Sequence, residues 1–169
     1  WKYGKDAHDV LLPIAQKSDI VFGTADEWKL ITGITPPDFK ATTPDYPIDS
    51  AAYKEYFGKA SKILPKAKKM IVALRNTLSA NHHLLSGVIF ADGKLYTTRI
   101  YDIDDVLDPM GVGDAFIAAY LHAHLKYGDD NQRCLNFSLA ASALKNTIPG
   151  DFNLSTEQEV DYLMNGFEE

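Results

Sequence analysis

Several features that define other protein classes are missing from this sequence. Cys134 is the single cysteine among 169 residues, so the chain forms no internal disulfide and fits a reducing, cytoplasmic compartment. No apolar run approaches the roughly 20 residues of a membrane-spanning helix, and no signal peptide opens the chain, so a membrane partner is not expected. Lys and Arg total 17 against 23 Asp and Glu, without a basic cluster, which argues against a nucleic-acid partner.

The chain does contain enough apolar residues for a core. Its hydrophobic fraction is 46%, which suits one domain of ordinary size. The first residue is Trp1 rather than Met, so we expect the chain to begin inside a longer protein. Internal repeats and low-complexity tracts are absent.

Hydrophobic periodicity predicts alternating helices and strands. A run over 69–74 that is apolar on both faces is typical of a central parallel strand. Asp92-Gly93, between two β-rich runs, predicts a hairpin. The fold class is therefore α/β with a mostly parallel sheet and a β-hairpin. We predict helices over 6–16, 24–33, 49–63, 114–126 and 132–146, strands over 18–22, 69–74, 85–91 and 94–101, and a last helix capped by Ser155 and Gln158 that ends at Met164.

Two segments between these elements have patterns of their own. Thr24 followed three residues later by Glu27 matches a capping box, with Gly33 as the helix stop. Residues 35–47 contain four prolines and few aliphatic residues, so they form a loop. This loop is either a surface excursion or a contact for a partner.

The segment Asp108-Pro109-Met110-Gly111-Val112-Gly113-Asp114 carries the clearest chemical information. Its two glycines precede a buried helix, where unpaired amides and the helix dipole favour a phosphate. A carboxylate at such a site suits a general base that deprotonates a hydroxyl attacking a phosphoryl group. The alternative is a tight turn with Asp114 favouring the helix dipole, and the spacing supports both interpretations about equally.

This segment closely resembles the second signature of the ribokinase-like carbohydrate kinases, of the phosphofructokinase B type. The resemblance implies a three-layer α/β/α fold, with Asp114 as catalytic base and the backbone of Gly111, Val112 and Gly113 as an anion hole. Val112 stands where the family usually has Ala, Gly or Ser. Because that position acts through its amide, we expect the anion hole to form nonetheless.

Residues 24–33 resemble another motif of the same family, which contains Asn-x-x-Glu. Glu27 matches the family's Glu, which implies a water-mediated role in organising Mg²⁺ and phosphate. Thr24 stands where Asn is usual, so this motif is altered in half of its defining residues. The capping box is the structural alternative for Glu27, and both roles are compatible.

Three further segments resemble 2-keto-3-deoxygluconate kinases in particular, at 19–23, 75–80 and 144–153. By this resemblance Arg75 is a candidate for binding the phosphates of ATP. Ala143, Asn146 and Gly150 are candidates for the wall that contacts adenine. An ordinary solvated Arg at a strand end is nearly as good an interpretation of Arg75.

The resemblance covers the second half of the family's fold. Residues 1–169 would be the C-terminal nucleotide-binding and catalytic portion, without the N-terminal sugar-binding and lid half through which the family often dimerises. The implied reaction is ATP-dependent phosphorylation of a sugar acid, most closely 2-keto-3-deoxygluconate to its 6-phosphate. Alternatives are a fructokinase or ribokinase-type sugar kinase and a non-catalytic nucleotide-binding remnant. We expect the isolated chain to be inactive.

Overall fold

A computed structural model describes Trp1 and residues 4–166 as a five-stranded sheet between two groups of helices. In the described part of the chain, no helix combines the length and the apolar character needed to cross a membrane. The helices are α1 (Ala7–Ala15), α2 (Ala25–Thr32), α3 (Ser50–Ile63), α4 (Val112–Tyr127), α5 (Asn131–Lys145) and α6 (Glu157–Asn165). The strands are β1 (Ile20–Thr24), β2 (Lys69–Ser79), β3 (His82–Ala91), β4 (Lys94–Thr97) and β5 (Tyr101–Ile103).

Strand order in the sheet is β1-β2-β3-β4, and β5 also pairs with β3. The β1–β2 pair is parallel, whereas β2–β3, β3–β4 and β3–β5 are antiparallel. The expected mostly parallel sheet is therefore mixed over the described residues. The apolar run 69–74 indicates that helices cover both faces of the sheet at this strand. Such burial does not depend on whether the neighbouring strand is parallel or antiparallel.

The hairpin at Asp92-Gly93 is confirmed, since β3 and β4 pair on either side of it. Both turn residues have positive φ, 51° at Asp92 and 72° at Gly93, as a two-residue hairpin of this kind requires. The antiparallel direction of β4 follows from this turn. The hairpin places β3 in the middle of the sheet, between β2 and β4.

Each face of the sheet has its own hydrophobic core. On one face, α4, α5 and α6 pack against residues such as Ile71 and Ile89. On the other face, α1, α2 and α3 enclose an aromatic cluster of Trp28, Tyr56 and Phe57. The Trp28 indole donates a hydrogen bond to the Ile71 carbonyl at 2.8 Å, which ties this cluster to β2. The three-layer arrangement expected from the resemblance is present.

The proline-containing loop lies against the sheet. Its residues Phe39 and Ala41 pack with Leu84 of β3 and Ile100 in a small third cluster. Asn76 of β2 donates a side-chain hydrogen bond to the Ala41 carbonyl at 2.8 Å. The loop therefore covers the part of β2 that extends past its pairing with β1.

The cap of the last helix lies one residue later than expected. Thr156 is the N-cap of α6, and its hydroxyl and amide form a reciprocal capping box with Glu159. The prediction of Ser155 with Gln158 was wrong because two overlapping pairs both fit the pattern. Thr156 with Glu159 offers a carboxylate to the N-cap amide, which is a stronger acceptor than the neutral Gln amide.

Candidate functional site

The glycine segment forms the amino-terminal turn of α4. Gly111 is the N-cap at φ 70°, and no side chain caps the helix. The first intrahelical bond runs from the Ala115 amide to the Gly111 carbonyl at 2.8 Å. The helix begins two residues earlier than the predicted 114, so Gly113 lies in its first turn. The uncapped amides of this turn point out of the helix, where they suit an anion.

Gly111 is held against a second loop. A Cβ atom at Gly111 would lie 2.0 Å from the Asp151 carbonyl oxygen and 2.9 Å from an Asp151 carboxylate oxygen. The backbone that follows α5 therefore passes directly over the glycine. Both the positive φ and this close approach require glycine at the position.

Asp108 connects the same two loops. The amide of Met110 donates to one of its carboxylate oxygens at 2.9 Å, and the amide of Gly150 donates to the other at 2.8 Å. The Asn146 carbonyl accepts hydrogen bonds from the amides of Leu107 and Asp108. These bonds fix the start of α4 relative to the end of α5.

The hydrogen bonds from Met110 and Gly150 lower the pKa of Asp108 below its usual 3.8. A carboxyl whose folded pKa is lowered stabilises the fold above its unfolded pKa and loses that contribution as pH falls through the folded value. We therefore expect Asp108→Asn to unfold more easily than the unaltered chain at pH 5–7, with the gap shrinking below about pH 4. Urea unfolding across this pH range measures it. A gap independent of pH would contradict the ionic role of Asp108.

A cavity of about 250 Å³ opens at the carboxyl edge of the parallel β1–β2 pair. Thr24, Arg75, Val112 and Gly113 line it, so the start of α4 and the predicted phosphate-binding Arg share one cavity. This is the edge at which open α/β sheets usually bind ligands. Arg75 also lines an adjoining cavity of about 270 Å³ together with residues of the proline-containing loop.

Asp114 lies exposed in the first turn of α4, one residue after Gly113. Its side chain is open to solvent, and Asp114 itself is not among the residues that line the cavity. Within the described residues, no ion pair engages Asp114 or Arg75. Both side chains are consequently available to a ligand.

Glu27 is engaged by its own helix. Its carboxylate accepts hydrogen bonds from the Thr24 amide at 2.7 Å and the Thr24 hydroxyl at 3.0 Å, which is the capping box predicted as the structural alternative. In the part of the chain that the structure describes, no three His, Cys, Asp or Glu side chains converge on a metal position. A single carboxylate fits Mg²⁺ that keeps most of its waters and is bound mainly through phosphate.

The three residues predicted to contact adenine do not line the cavity. Ala143 and Asn146 are buried, and the Asn146 side-chain amide donates to the Ser142 carbonyl at 2.9 Å. Gly150 is exposed on the loop that Asp108 holds. Their contact with adenine stays a prediction.

Two cavity-lining residues of α5 were missed by the sequence analysis, Leu139 and Ser142. The Ser142 hydroxyl donates to the Val112 carbonyl at 3.1 Å, so α5 holds the start of α4 directly. Helical spacing supplied a signal for Ser142, because it lies one turn before Asn146.

Known proteins similar to this chain include carbohydrate kinases. No family model matches the chain. The 2-dehydro-3-deoxygalactonokinase of Haloferax volcanii is 35% identical over 74 residues, 44% of this chain and 23% of that relative. The crystal structure of 2-dehydro-3-deoxygluconokinase from Thermotoga maritima matches with a TM-score of 0.80 and 27% identity, over 95% of this chain and 45% of that one. The chain is thus similar to ribokinase-like carbohydrate kinases.

The ribokinase-like fold predicted from the glycine segment is thereby confirmed. Ribokinase of Arabidopsis thaliana, solved with ribose and ATP, matches with a TM-score of 0.65 and 22% identity, over 90% of this chain and 43% of that one. The chain spans less than half the length of both solved kinases.

Proposed function

We propose that this chain supplies the nucleotide-binding and phosphoryl-transfer part of an ATP-dependent sugar-acid kinase. The observation that carries the proposal is the uncapped first turn of α4, which carries the exposed Asp114 and whose Val112 and Gly113 line one cavity together with Arg75. The two similar proteins with most bearing on substrate are both named as kinases of 2-dehydro-3-deoxy sugar acids. Those names favour 2-keto-3-deoxygluconate as the acceptor and its 6-phosphate as the product.

The amides of Gly111, Val112 and Gly113 would donate hydrogen bonds to the oxygens of the transferring phosphoryl group. Amides held in place before the reaction stabilise charge that develops in the transition state. The turn is held in this way by Asp108, by Ser142 and by the loop that crosses Gly111. Arg75 would balance charge on the remaining phosphates from the carboxyl edge of β2.

Asp114 would accept the proton of the terminal primary hydroxyl of the sugar acid. The hydroxyl oxygen would then form a bond to the γ-phosphorus as the bond to the bridging oxygen of ADP breaks in line. Glu27 would orient a hydrated Mg²⁺ through water while it keeps its hydrogen bonds to Thr24. The metal supplies neutralisation of phosphate charge when it is bound.

The test measures ADP release by a protein that carries this chain together with the sugar-binding half of the family. With 2-keto-3-deoxygluconate, fructose and ribose compared, we expect the highest kcat/KM for the sugar acid. A higher value for fructose or ribose would favour the other sugar kinases. ATP binding without transfer to any acceptor would favour a nucleotide-binding module. This chain alone is expected to release no ADP with any of the three sugars.

A further inference from the structure

Lys145 is a fully buried lysine in the last turn of α5. Its ammonium group can donate three hydrogen bonds, and it donates one to the Ile148 carbonyl at 2.8 Å. Among the residues that the structure describes, no carboxylate forms an ion pair with it. The negative end of the α5 dipole compensates part of the cost of burying this charge. The rest requires another negative charge nearby.

The position of Lys145 in α5 is next to the residues that hold the glycine segment. Ser142, three residues earlier, donates its hydroxyl hydrogen bond to the Val112 carbonyl at 3.1 Å. Asn146, the next residue, accepts a hydrogen bond from the Asp108 amide at 3.2 Å. The pKa of Asp108 is lowered mainly by its two amide hydrogen bonds and further by the positive charge of Lys145. The ammonium therefore acts electrostatically on the segment that leads into α4.

The start of α4 is surrounded by more negative than positive side chains. Asp108 and Asp114 flank the glycine turn in the sequence, and a carboxylate oxygen of Asp151 would lie 2.9 Å from a Cβ atom at Gly111. Arg75 is the cation among the described residues that line the cavity. The amides of a helix start carry only about half a unit of positive charge. A phosphate at this turn would therefore be repelled unless further positive charge acts there.

We propose that Lys145 is a positioning residue for the phosphoryl groups of the nucleotide, as the buried counter-charge of an anion at the first turn of α4. This inference rests on the proposed function. The charge offsets that of Asp108, whose carboxylate holds the turn but repels phosphate. Because the ammonium is buried, salt screens it less than an exposed lysine. A bound anion would in turn compensate the buried charge, so binding would stabilise the fold.

The test measures the dissociation constant of inorganic pyrophosphate for this chain by calorimetry. Lys145→Met should weaken binding about tenfold, because the charge is lost. Lys145→Gln should weaken it as much, although Gln keeps a hydrogen-bond donor for the Ile148 carbonyl. The urea midpoint of Lys145→Met without anion should be unchanged or higher, since Met fills a similar volume without burying a charge. A purely structural lysine would give the opposite change in stability.

A matched control is Lys62→Met, because Lys62 is an exposed lysine in the last turn of α3, a helix on the other face of the sheet. It should leave the affinity for pyrophosphate unchanged, and an equal loss with this variant would overturn the inference. Unchanged affinity in Lys145→Met would overturn it too and leave the anion turn intact. Affinity retained in Lys145→Gln, or a lowered urea midpoint together with weaker binding, would overturn it in favour of a structural role. Failure of the unaltered chain to bind pyrophosphate would overturn both the inference and the proposed anion site.

Discussion

Asp114→Asn is expected to lower the rate of the proposed phosphoryl transfer by about 10²–10⁴-fold, while ATP should still bind. The amide side chain has nearly the shape of the carboxylate but cannot accept a proton at neutral pH. Because Asp114 is exposed in the first turn of α4, the substitution leaves no buried group without a partner. Removing a negative charge beside the proposed phosphate position should leave the affinity for ATP unchanged or increase it.

The measurement is kcat with 2-keto-3-deoxygluconate, together with the dissociation constant of ATP, in a protein that includes a sugar-binding half. Asp104→Asn is the matched control, because Asp104 is also an exposed Asp but lies outside α4 and its amide turn. It should change neither quantity. A kcat for Asp114→Asn close to that of the unaltered protein would remove Asp114 as the base and leave the helix-dipole interpretation in its place.

Gly111→Ala should destabilise the fold and abolish most of the proposed activity. The φ of 70° alone costs an L-residue about 1–3 kcal/mol, which would appear as a lower free energy of unfolding. The new Cβ would also overlap the Asp151 carbonyl, so one of the two loops has to move. A displacement of the amides in the proposed anion hole by about 1 Å can reduce the rate of phosphoryl transfer by about 10²-fold.

Gly113, two residues after Gly111, provides a matched control for this substitution. A Cβ at Gly113 would have no heavy atom within 4 Å, and Gly113 lies within α4 at a negative φ. Gly113→Ala should therefore keep or raise the free energy of unfolding, by up to about 1 kcal/mol. Urea unfolding of this chain measures both variants. Equal stability of Gly111→Ala and Gly113→Ala would show that the contact with Asp151 does not constrain the glycine turn.

Local signals in the sequence predicted the local elements well. The Thr24–Glu27 capping box, the left-handed Gly33 and the turn at Asp92-Gly93 are all present, because each depends on residues only a few positions apart. The antiparallel pairing of β3 with β2 and β5, and the exact cap of α6, were not predicted correctly. The direction of pairing depends on which strands become neighbours in the folded sheet. The cap of α6 depends on a choice between two overlapping capping patterns, and neither pattern alone decides it.

The candidate site also contains features that local sequence predicts and features that it does not. The glycine turn and Asp114 are contiguous, so their relation could be predicted from a seven-residue segment. The approach of Asp151 to Gly111 and the bond from Ser142 to Val112 join segments that are distant in the sequence. Only the packing of α4 against α5 and the loop after it determines which atoms these residues contact.

The two carboxylate oxygens of Asp108 accept hydrogen bonds from two different loops, one from the Met110 amide and the other from the Gly150 amide, which lies 42 residues after Asp108. Surface loops usually tolerate insertions and deletions, since few other groups depend on their exact length. The turn between α5 and Asp151 lacks this freedom, because its amide at Gly150 and its carbonyl at Asp151 both meet the start of α4. Adding or removing one residue there would shift both groups together, so the length of this turn should be as constrained as the glycine position that it crosses.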